Sequence, residues 1–521
     1  MRRIVPLVGA LLVGCSDPPG AGGDPAALLT RASLELRGHR PTPAELADAE
    51  RWPDSVDMRI AQWLEEPALG DRVRALWGPV WLTQADEYLV PAQSFGESDE
   101  AAFHRSVGQQ PLRVVAHTVT EDLPYAEVIT GDWTLADPLL ERVAPLEREP
   151  GDGWTLARWT DYRPNLGAAS SPGFWLRYTS TEFNAQRGRA NALSRILLCD
   201  DYLDRPIPLG RGVDLLDQEA AQDAIRTDPG CVACHDTLDP MAANLWGFHQ
   251  MFDEVPTEFA WYHPEREAWW RNWSGMGPGF EGAELAGAHE LGEAITRSSK
   301  FESCAVLQTR RLLIPDERAV LADEPLARSE QAWAQSGGRL RAVLESVTWD
   351  PAWRGVGLEE AGATGRKLLS AELLESSFTG LVGQQLRIEG WGITDNDRVG
   401  LRTLAGGVDG QFQTLPASRP TPTMVLVQHT LAEAVAGLAT AEDRPGALFS
   451  AGDLAEAVPT ADWQERHRAL TLRVLSRAPT PDEQRADRAL YDSVLELGEG
   501  PDVAWRAVLE AMLKDPNLLW Y

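Results

Sequence analysis

Cysteine is scarce in this sequence, because only five of the 521 residues are Cys. At that frequency a C-x-x-C pair followed by His arises by chance on the order of 0.001 times per chain, so one such run carries weight. Lysine is scarcer still, and Arg supplies nearly all of the positive charge. No second C-x-x-C pair occurs, which removes the usual second half of a zinc site.

Positive charge is in deficit overall: 48 Lys and Arg stand against 78 Asp and Glu, a formal net charge of −30. Such a surface repels nucleic acid and anionic lipid headgroups, so we expect neither as a ligand. It favours a partner protein with a basic patch, whose association rate falls as salt rises. No later stretch reaches 18 uncharged apolar residues, so no membrane-spanning helix is predicted. Phosphate-loop, dinucleotide and nucleophile-elbow fingerprints are absent too.

The first residues are typical of a lipoprotein signal. A basic pair, Arg2-Arg3, precedes an apolar run, Ile4–Val13, and Leu12-Val13-Gly14-Cys15 matches the bacterial lipoprotein box. We expect cleavage before Cys15 and acylation of its thiol, which would anchor the chain through lipid alone. The alternative is an ordinary secretory signal with an incidental Cys.

Residue Ser16 follows the lipidation candidate, so the Asp that often retains lipoproteins at the inner membrane is missing. We therefore predict an exported protein on the periplasmic face of the outer membrane or on the cell surface. Residues 1–15 form the predicted signal peptide, and residues 16–25 form a flexible tether rich in Pro, Gly and Ala.

The run Cys231-Val232-Ala233-Cys234-His235 is the central motif. Two thiols three positions apart can each add across a vinyl group of one haem, and the following His is placed to bind the iron. The motif predicts haem c on Cys231 and Cys234, with His235 as the proximal iron ligand. A thioredoxin-like pair would need a preceding strand, whereas turn residues 227–230 precede this motif. A Cys231–Cys234 disulfide and a different metal site remain alternatives.

Two further cysteines, Cys199 and Cys304, are left once Cys15 and the haem pair are set aside. An exported location permits disulfides, so we predict that they pair. The bond would join residues 105 positions apart (304 − 199) and stabilise by about 4 to 5 kcal/mol in the chain-entropy model. Two buried free thiols are the alternative.

The second axial iron ligand of an electron-transfer cytochrome is usually Met or His. Met276 is the first candidate, since it lies between glycines in a loop 41 residues (276 − 235) after His235. The other candidates are Met241, Met251, His249 and water.

Helical patterns dominate both ends of the chain. Thr42-Pro43-Ala44-Glu45 and Thr480-Pro481-Asp482-Glu483 both have the form of a capping box with a helix-starting proline. The surrounding residues align if the first copy carries one extra residue, which suggests related helical hairpins that pack as a pair. Independent helix starts with similar cap chemistry are the alternative. A helix over Glu182–Cys199 is predicted to turn three arginines, which lie at 187, 189 and 195, towards solvent rather than towards haem propionates.

The sequence as a whole predicts a mainly α, multi-domain protein. It has helical hairpins at both ends, a cytochrome c-like haem segment in the middle, and a small β insert near 380–415 with period-2 patterns at 386–391 and 398–404. The predicted units after the tether are an N-terminal helical domain (26–200), a haem c-binding domain (201–315), a helical linker region (316–368), a β insert (369–420) and a C-terminal helical domain (421–521).

Several short segments also occur in the order found in a known family. They are Leu34–Gly38 with Arg40–Glu45, Asp122–Tyr125 with Ile129–Thr134, Arg187–Ala190, Cys231–His235 with Leu238–Pro240 and Gly247–Phe248, and Phe301–Cys304. In this order they resemble the large cytochrome c-like proteins of unknown function found mainly in planctomycetes and myxobacteria. The resemblance implies a mostly helical, exported haem protein, and it implies no established reaction.

Three functions compete at this stage. The first is single-electron transfer by a lipid-anchored mono-haem cytochrome-like protein, which needs two axial ligands. The second is a haem-dependent oxidase or peroxidase on an exported substrate, with His249 or His263 as acid–base group. The third is a surface binding or structural protein.

Overall fold

The structure is a computed structural model that describes residues 24–181, 183–206, 217–251, 260–355, 366–388, 391–395, 400–441 and 448–521. The predicted signal peptide, with its lipidation candidate Cys15, lies outside the described residues. Within the described ranges, no helix combines the length and the apolar character that crossing a membrane requires.

Helices form most of the described chain, and the prediction of a mainly α protein is confirmed. The helices are α1 (Pro25–Arg37), α2 (Pro43–Arg51), α3 (Ser55–Trp63), α4 (Ala68–Trp81), α5 (Glu100–Thr120), α6 (Glu127–Thr130), α7 (Pro138–Val143), α8 (Pro172–Arg177), α9 (Arg187–Leu198), α10 (Gln218–Thr227), α11 (Pro229–Ala243), α12 (Trp270–Trp273), α13 (Ala288–Arg297), α14 (Ser299–Leu313), α15 (Glu317–Val320), α16 (Asp323–Ser336), α17 (Leu340–Thr348), α18 (Ala371–Val382), α19 (Pro422–Ala439), α20 (Ala451–Ala455), α21 (Thr460–Leu475), α22 (Pro481–Glu496) and α23 (Pro501–Leu513).

The strands in the described ranges are short and pair antiparallel in three small sheets. They are β1 (Thr134–Ala136), β2 (Leu146–Arg148), β3 (Thr155–Trp159), β4 (Gly279–Phe280), β5 (Ala283–Glu284), β6 (Arg387–Ile388) and β7 (Trp391–Gly392). The first sheet has the order β1-β3-β2, with Thr134 opposite Ala157 and Leu146 opposite Trp159. The other two sheets are the pairs β4-β5 and β6-β7.

Two large apolar clusters hold the helices together. The first contains buried residues from Ala26 to Trp353, and it runs without a break across the predicted boundaries at residues 200 and 315. The second contains Leu34 and buried residues from Leu368 to Leu519. A third, smaller cluster lies between residues 85 and 176 together with Ala260. The predicted haem segment therefore shares its core with the helices that precede it.

The two predicted capping boxes are both formed. Thr42 and Thr480 each accept a hydrogen bond from the backbone N–H of the Glu three residues on, whose carboxylate accepts the return bond. A left-handed residue ends the preceding helix four positions before each Thr: Gly38 at φ 78° and Ser476 at φ 57°. The spacing is therefore equal in both hairpins, without the extra residue that the sequence alignment placed in the first. Arg40 joins the two hairpins by donating to Ser476 Oγ at 3.4 Å.

The second capping box has a measurable dependence on pH. Burial alone would raise the pKa of Glu483, but hydrogen bonds from Arg477 and Thr480 lower it to about 2. Because the pKa of Glu483 is lower in the folded state, its carboxylate stabilises the fold at pH values above the unfolded-state pKa of about 4.3. This stabilisation is lost as the pH falls towards 2. We expect Glu483→Gln to reduce the free energy of unfolding at pH 6, and the difference from the parent protein to vanish near pH 2. Denaturant titrations across this range measure it; the exposed Glu499, as Glu499→Gln, is the control and should show no such trend.

The predicted β insert is formed in part. Among the described residues of 369–420, Ala371–Val382 form the helix α18, and the strands are the β6-β7 pair, which overlaps the first predicted strand. Of the second predicted strand, residues 398 and 399 lie outside the described residues, and residues 400–406 form turns in which Ala405 N donates to Leu401 O. Alternating apolar residues here reflect packing of turns against α18 and α19, because short runs do not distinguish a strand from a buried turn.

The helix expected over Glu182–Cys199 begins later, at Arg187. Ala185 and Gln186 have φ of 52° and 68°. These left-handed residues cannot be part of a right-handed helix, so the helix begins after them. Glu182 lies outside the described residues. At its other end, Cys199 forms the predicted disulfide with Cys304 of α14, with Cα atoms 5.2 Å apart. The helix α9 is therefore fixed to α14 by a covalent bond.

The prediction that the arginines of α9 face solvent is wrong. Arg189 is 1% exposed, and all five of its N–H donors are used. The acceptors are the backbone oxygens of Trp175, Tyr178 and Phe248 and the side-chain oxygens of Gln186 and Gln250. Desolvation lowers the pKa of Arg189 to about 9. Arg195 donates to Val80 O at 2.9 Å and to Tyr178 Oη at 2.6 Å.

Candidate functional site

The central motif lies on the first turns of α11. Asp228 caps this helix by accepting hydrogen bonds from the N–H groups of Gly230 at 2.9 Å and Cys231 at 3.3 Å, and Pro229 occupies the first helical position. Residues three and four apart share one face of a helix, so Cys231, Cys234 and His235 lie on the same face. Asp228 and Pro229 thus fix where the helix begins and which way the three side chains leave it.

The two motif thiols are free and partly exposed. The alternative of a Cys231–Cys234 disulfide is not what the structure shows. Burial, and then the neighbouring Asp228, raise the pKa of Cys231, whereas a nucleophilic redox Cys at a helix N-terminus has a lowered pKa. The element before the motif is the helix α10, so the strand that a thioredoxin-like site requires is missing at this place. Within the described ranges, no group of three or more Cys, His, Asp or Glu could hold a metal ion.

His235 is held in one orientation by Asp239, one turn later on α11. The Nδ1 atom of His235 lies 3.0 Å from Asp239 Oδ1, and the carboxyl side chain is 1% exposed. An ionised carboxylate only accepts hydrogen bonds, so Nδ1 carries the proton. The lone pair is then on Nε2, the atom that most often binds a metal when the other nitrogen is held in this way. The side chain of His235 is 23% exposed, so it is partly accessible from solvent.

Asp239 is in turn held by Arg187 from the first turn of α9. Arg187 Nε donates to Asp239 Oδ1 at 2.6 Å, and Nη2 donates to Oδ2 at 2.8 Å, which is a bidentate pair. Burial alone would raise the pKa of Asp239, but the hydrogen bonds from Arg187 and His235 lower it below its ordinary value. Neither residue was predicted as part of the site. The position of Asp239, four after His235, was a signal that the sequence contained. Arg187 belongs to one of the segments of the family resemblance, but nothing in the sequence indicated its contact with Asp239.

Tyr202 and Arg205 make a second set of contacts beside the motif. Tyr202 Oη lies 2.8 Å from Thr237 Oγ1, and the guanidinium of Arg205 lies 4.0 Å from the centre of the Tyr202 ring. Hydrogen bonding to Asp200 is the main cause that raises the pKa of Arg205, and the nearby Cys234 thiol adds to it. The Cys234 thiol therefore lies near a cation.

His249, one of the candidate distal ligands, is held in the opposite tautomer. Gln186 Oε1 accepts from Arg189 at 2.7 Å, so the amide nitrogen of Gln186 faces His249 Nδ1, also at 2.7 Å, and donates to it. Burial, followed by Arg189 and Arg266, lowers the pKa of His249 to about 4, so the ring is neutral at ordinary pH with its proton on Nε2. A protonated Nε2 has no lone pair for iron, which disfavours His249 as an axial ligand.

The methionine candidates differ in position. Met241 is buried on the same helix as His235, and six residues turn its side chain roughly 120° away from that of His235. An axial partner must approach from the opposite side of the iron, so Met241 is unsuited. Met251 is half-buried.

His263, the other candidate acid–base group, has its Nδ1 atom 3.0 Å from Glu265 Oε1.

Met276 is half-buried in a tight loop that ends on the helix of the motif. Ser274 Oγ accepts from Met276 N at 3.2 Å, and Gly275 has φ 69°. Asn244, at the end of α11, donates to Gly279 O at 3.2 Å where the loop continues into β4. The loop is therefore closed on itself at Ser274 and joined to the end of α11 through Asn244, and Met276 stays the first candidate for the distal ligand.

The residues present fit a covalently attached haem. Two free, accessible thiols at i and i+3 and an imidazole at i+4 with its Nε2 lone pair available form a complete donor set on one helix face. In comparison with known proteins, no family model matches the chain, and neither a curated protein nor a solved structure is similar to it.

Proposed function

We propose that the chain is an exported, lipid-anchored, mono-haem c-type cytochrome-like protein that transfers single electrons. The observation that carries this proposal is the donor set on α11: free Cys231 and Cys234 beside His235, whose Nδ1 is occupied by Asp239. A haem bound there would supply reversible one-electron redox chemistry.

The described residues would serve that chemistry in distinct ways. Cys231 and Cys234 supply the two thioether sulfurs, and His235 supplies the proximal nitrogen. Asp239 keeps the imidazole in one tautomer and one rotamer, which a metal-binding His needs. The shared core around α9, α11 and α14 holds this helix rigid, so little reorganisation would accompany a change of charge at the site.

The acidic surface supports a basic redox partner. A net charge of −30 attracts a positively charged patch over a Debye length of about 8 to 10 Å at physiological salt. Lipidation at Cys15 would hold both proteins near one membrane face. Because negative charge exceeds positive charge in this chain, we do not expect nucleic acid as a ligand.

The test is visible spectroscopy and mass analysis of protein produced in a host that matures c-type cytochromes. We expect the mass of the processed chain plus one haem, and a low-spin ferrous spectrum that does not change on adding carbon monoxide, because both axial positions are filled. Apoprotein alone would refute the proposal. Rapid carbon monoxide binding would refute electron transfer and favour the second candidate.

That second candidate is a haem-dependent oxidase or peroxidase. A buried carboxylate hydrogen-bonded to His235 Nδ1 favours it, because such a carboxylate makes the imidazole a stronger donor and favours higher oxidation states of iron. The bidentate contact from Arg187 opposes this effect by drawing charge from the carboxylate. For this reason we place electron transfer first.

A further inference from the structure

We infer that Arg187 and Asp239 form a matched pair of charges that sets the reduction potential of the haem, with Asp239 lowering it and Arg187 raising it. The inference rests on the proposed function. It concerns positioning residues, since neither side chain belongs to the donor set.

The geometry that supports the inference is a three-residue chain of short contacts. Arg187 donates two hydrogen bonds to Asp239, at 2.6 and 2.8 Å, and Asp239 accepts one from His235 at 3.0 Å. The Asp239 Oδ1 atom is shared by both neighbours. Any change of charge on Arg187 therefore acts on the same oxygen that polarises the imidazole.

Burial makes these contacts strong. The carboxyl side chain is 1% exposed and that of Arg187 is 21% exposed, so water screens the pair only weakly. Removing one member would leave the other as an uncompensated charge next to His235. Loss of Asp239 and loss of Arg187 would then shift the reduction potential in opposite directions. A merely structural role for the two residues does not predict this.

The sign follows from which oxidation state each charge favours. Ferric haem carries one more positive charge than ferrous haem, so a nearby anion stabilises the ferric state and a nearby cation the ferrous state. The hydrogen bond from Nδ1 to a carboxylate acts in the same direction as the anion, because it raises the electron density on Nε2. Asp239 without Arg187 would thus lower the potential, and Arg187 without Asp239 would raise it.

The experiment compares reduction potentials of holoproteins by spectroelectrochemical titration. We expect Asp239→Asn to change the ferric/ferrous equilibrium about tenfold towards ferrous, a rise of about 59 mV for one electron. Arg187→Gln should shift it in the opposite direction. The double variant should return to within about threefold of the parent protein, since both charges are gone.

A matched control is the buried pair Arg310–Asp350, at 2.8 Å, which has no contact with the motif. Asp350→Asn should reduce stability without moving the potential. If Asp239→Asn does not accumulate, Arg187→Gln and Arg187→Lys carry the test, because that side chain is partly exposed; Lys keeps the charge and should move the potential less than Gln.

Equal potentials in all variants, or shifts of the same sign for both single variants, would overturn the inference and leave the proposed function intact. A parent protein without covalent haem would overturn the proposed function, and the inference with it.

Discussion

Replacing Cys231 and Cys234 together by Ser is expected to abolish covalent haem attachment. Serine hydroxyls do not form thioether bonds, and a single axial contact from His235 holds a haem only reversibly. Denaturing electrophoresis with haem staining, and intact mass, measure the result. Each single variant should retain one link and stain more weakly than the parent protein.

The matched control for this experiment is the pair Cys199→Ser/Cys304→Ser, which removes the same number of sulfurs from the chain. It should keep covalent haem, because neither sulfur belongs to the donor set of α11. Covalent haem that survives in the Cys231/Cys234 double variant would contradict the proposed attachment.

Loss of the Cys199–Cys304 disulfide is expected to cost about 4 to 5 kcal/mol in the free energy of unfolding. The bond closes a loop of 105 residues, and its removal frees the unfolded chain to adopt many more conformations. Urea titrations of the Cys199→Ala/Cys304→Ala variant against the parent protein measure this difference. The variant should also unfold more readily around α9, whose C-terminal end the bond holds.

Reduction of the parent protein supplies the comparison for that variant. A thiol reductant breaks a disulfide but leaves thioether links intact, so the reduced holoprotein should match the variant in stability and keep its haem. A difference below about 1 kcal/mol would show that the native packing of α9 on α14 is sufficient without the bond.

Local signals in the sequence predicted local structure well. Both capping boxes depend on residues three positions apart, and both are formed at Thr42 and Thr480. The disulfide also followed from the sequence, because only two cysteines remained once Cys15 and the haem pair were set aside, and the predicted export permits disulfides. The mainly α class followed from apolar residues repeated at helical spacing.

Contacts between distant residues were not predicted. Arg187 meets Asp239 across 52 positions, and periodicity says nothing about which charged side chain a helix will bury against another. The same limit explains why the arginines of α9 were wrongly predicted to face solvent. The sequence does not distinguish a buried guanidinium whose donors are all bonded from an exposed one. The β insert was predicted from alternation over six and seven residues, and runs this short do not separate a strand from turns packed on α18.

The disulfide between α9 and α14 encloses the motif in sequence, with Cys231 and Cys234 between its two ends. If the chain is exported and carries haem as proposed, two of these four cysteines must form a disulfide and the other two must form thioether bonds. An early bond from Cys199 to Cys231, its nearest neighbour along the chain, would withhold a sulfur from the haem and open the α9–α14 contact at once. Holoprotein yield in a producing host should consequently depend on thiol–disulfide isomerisation as much as on haem supply.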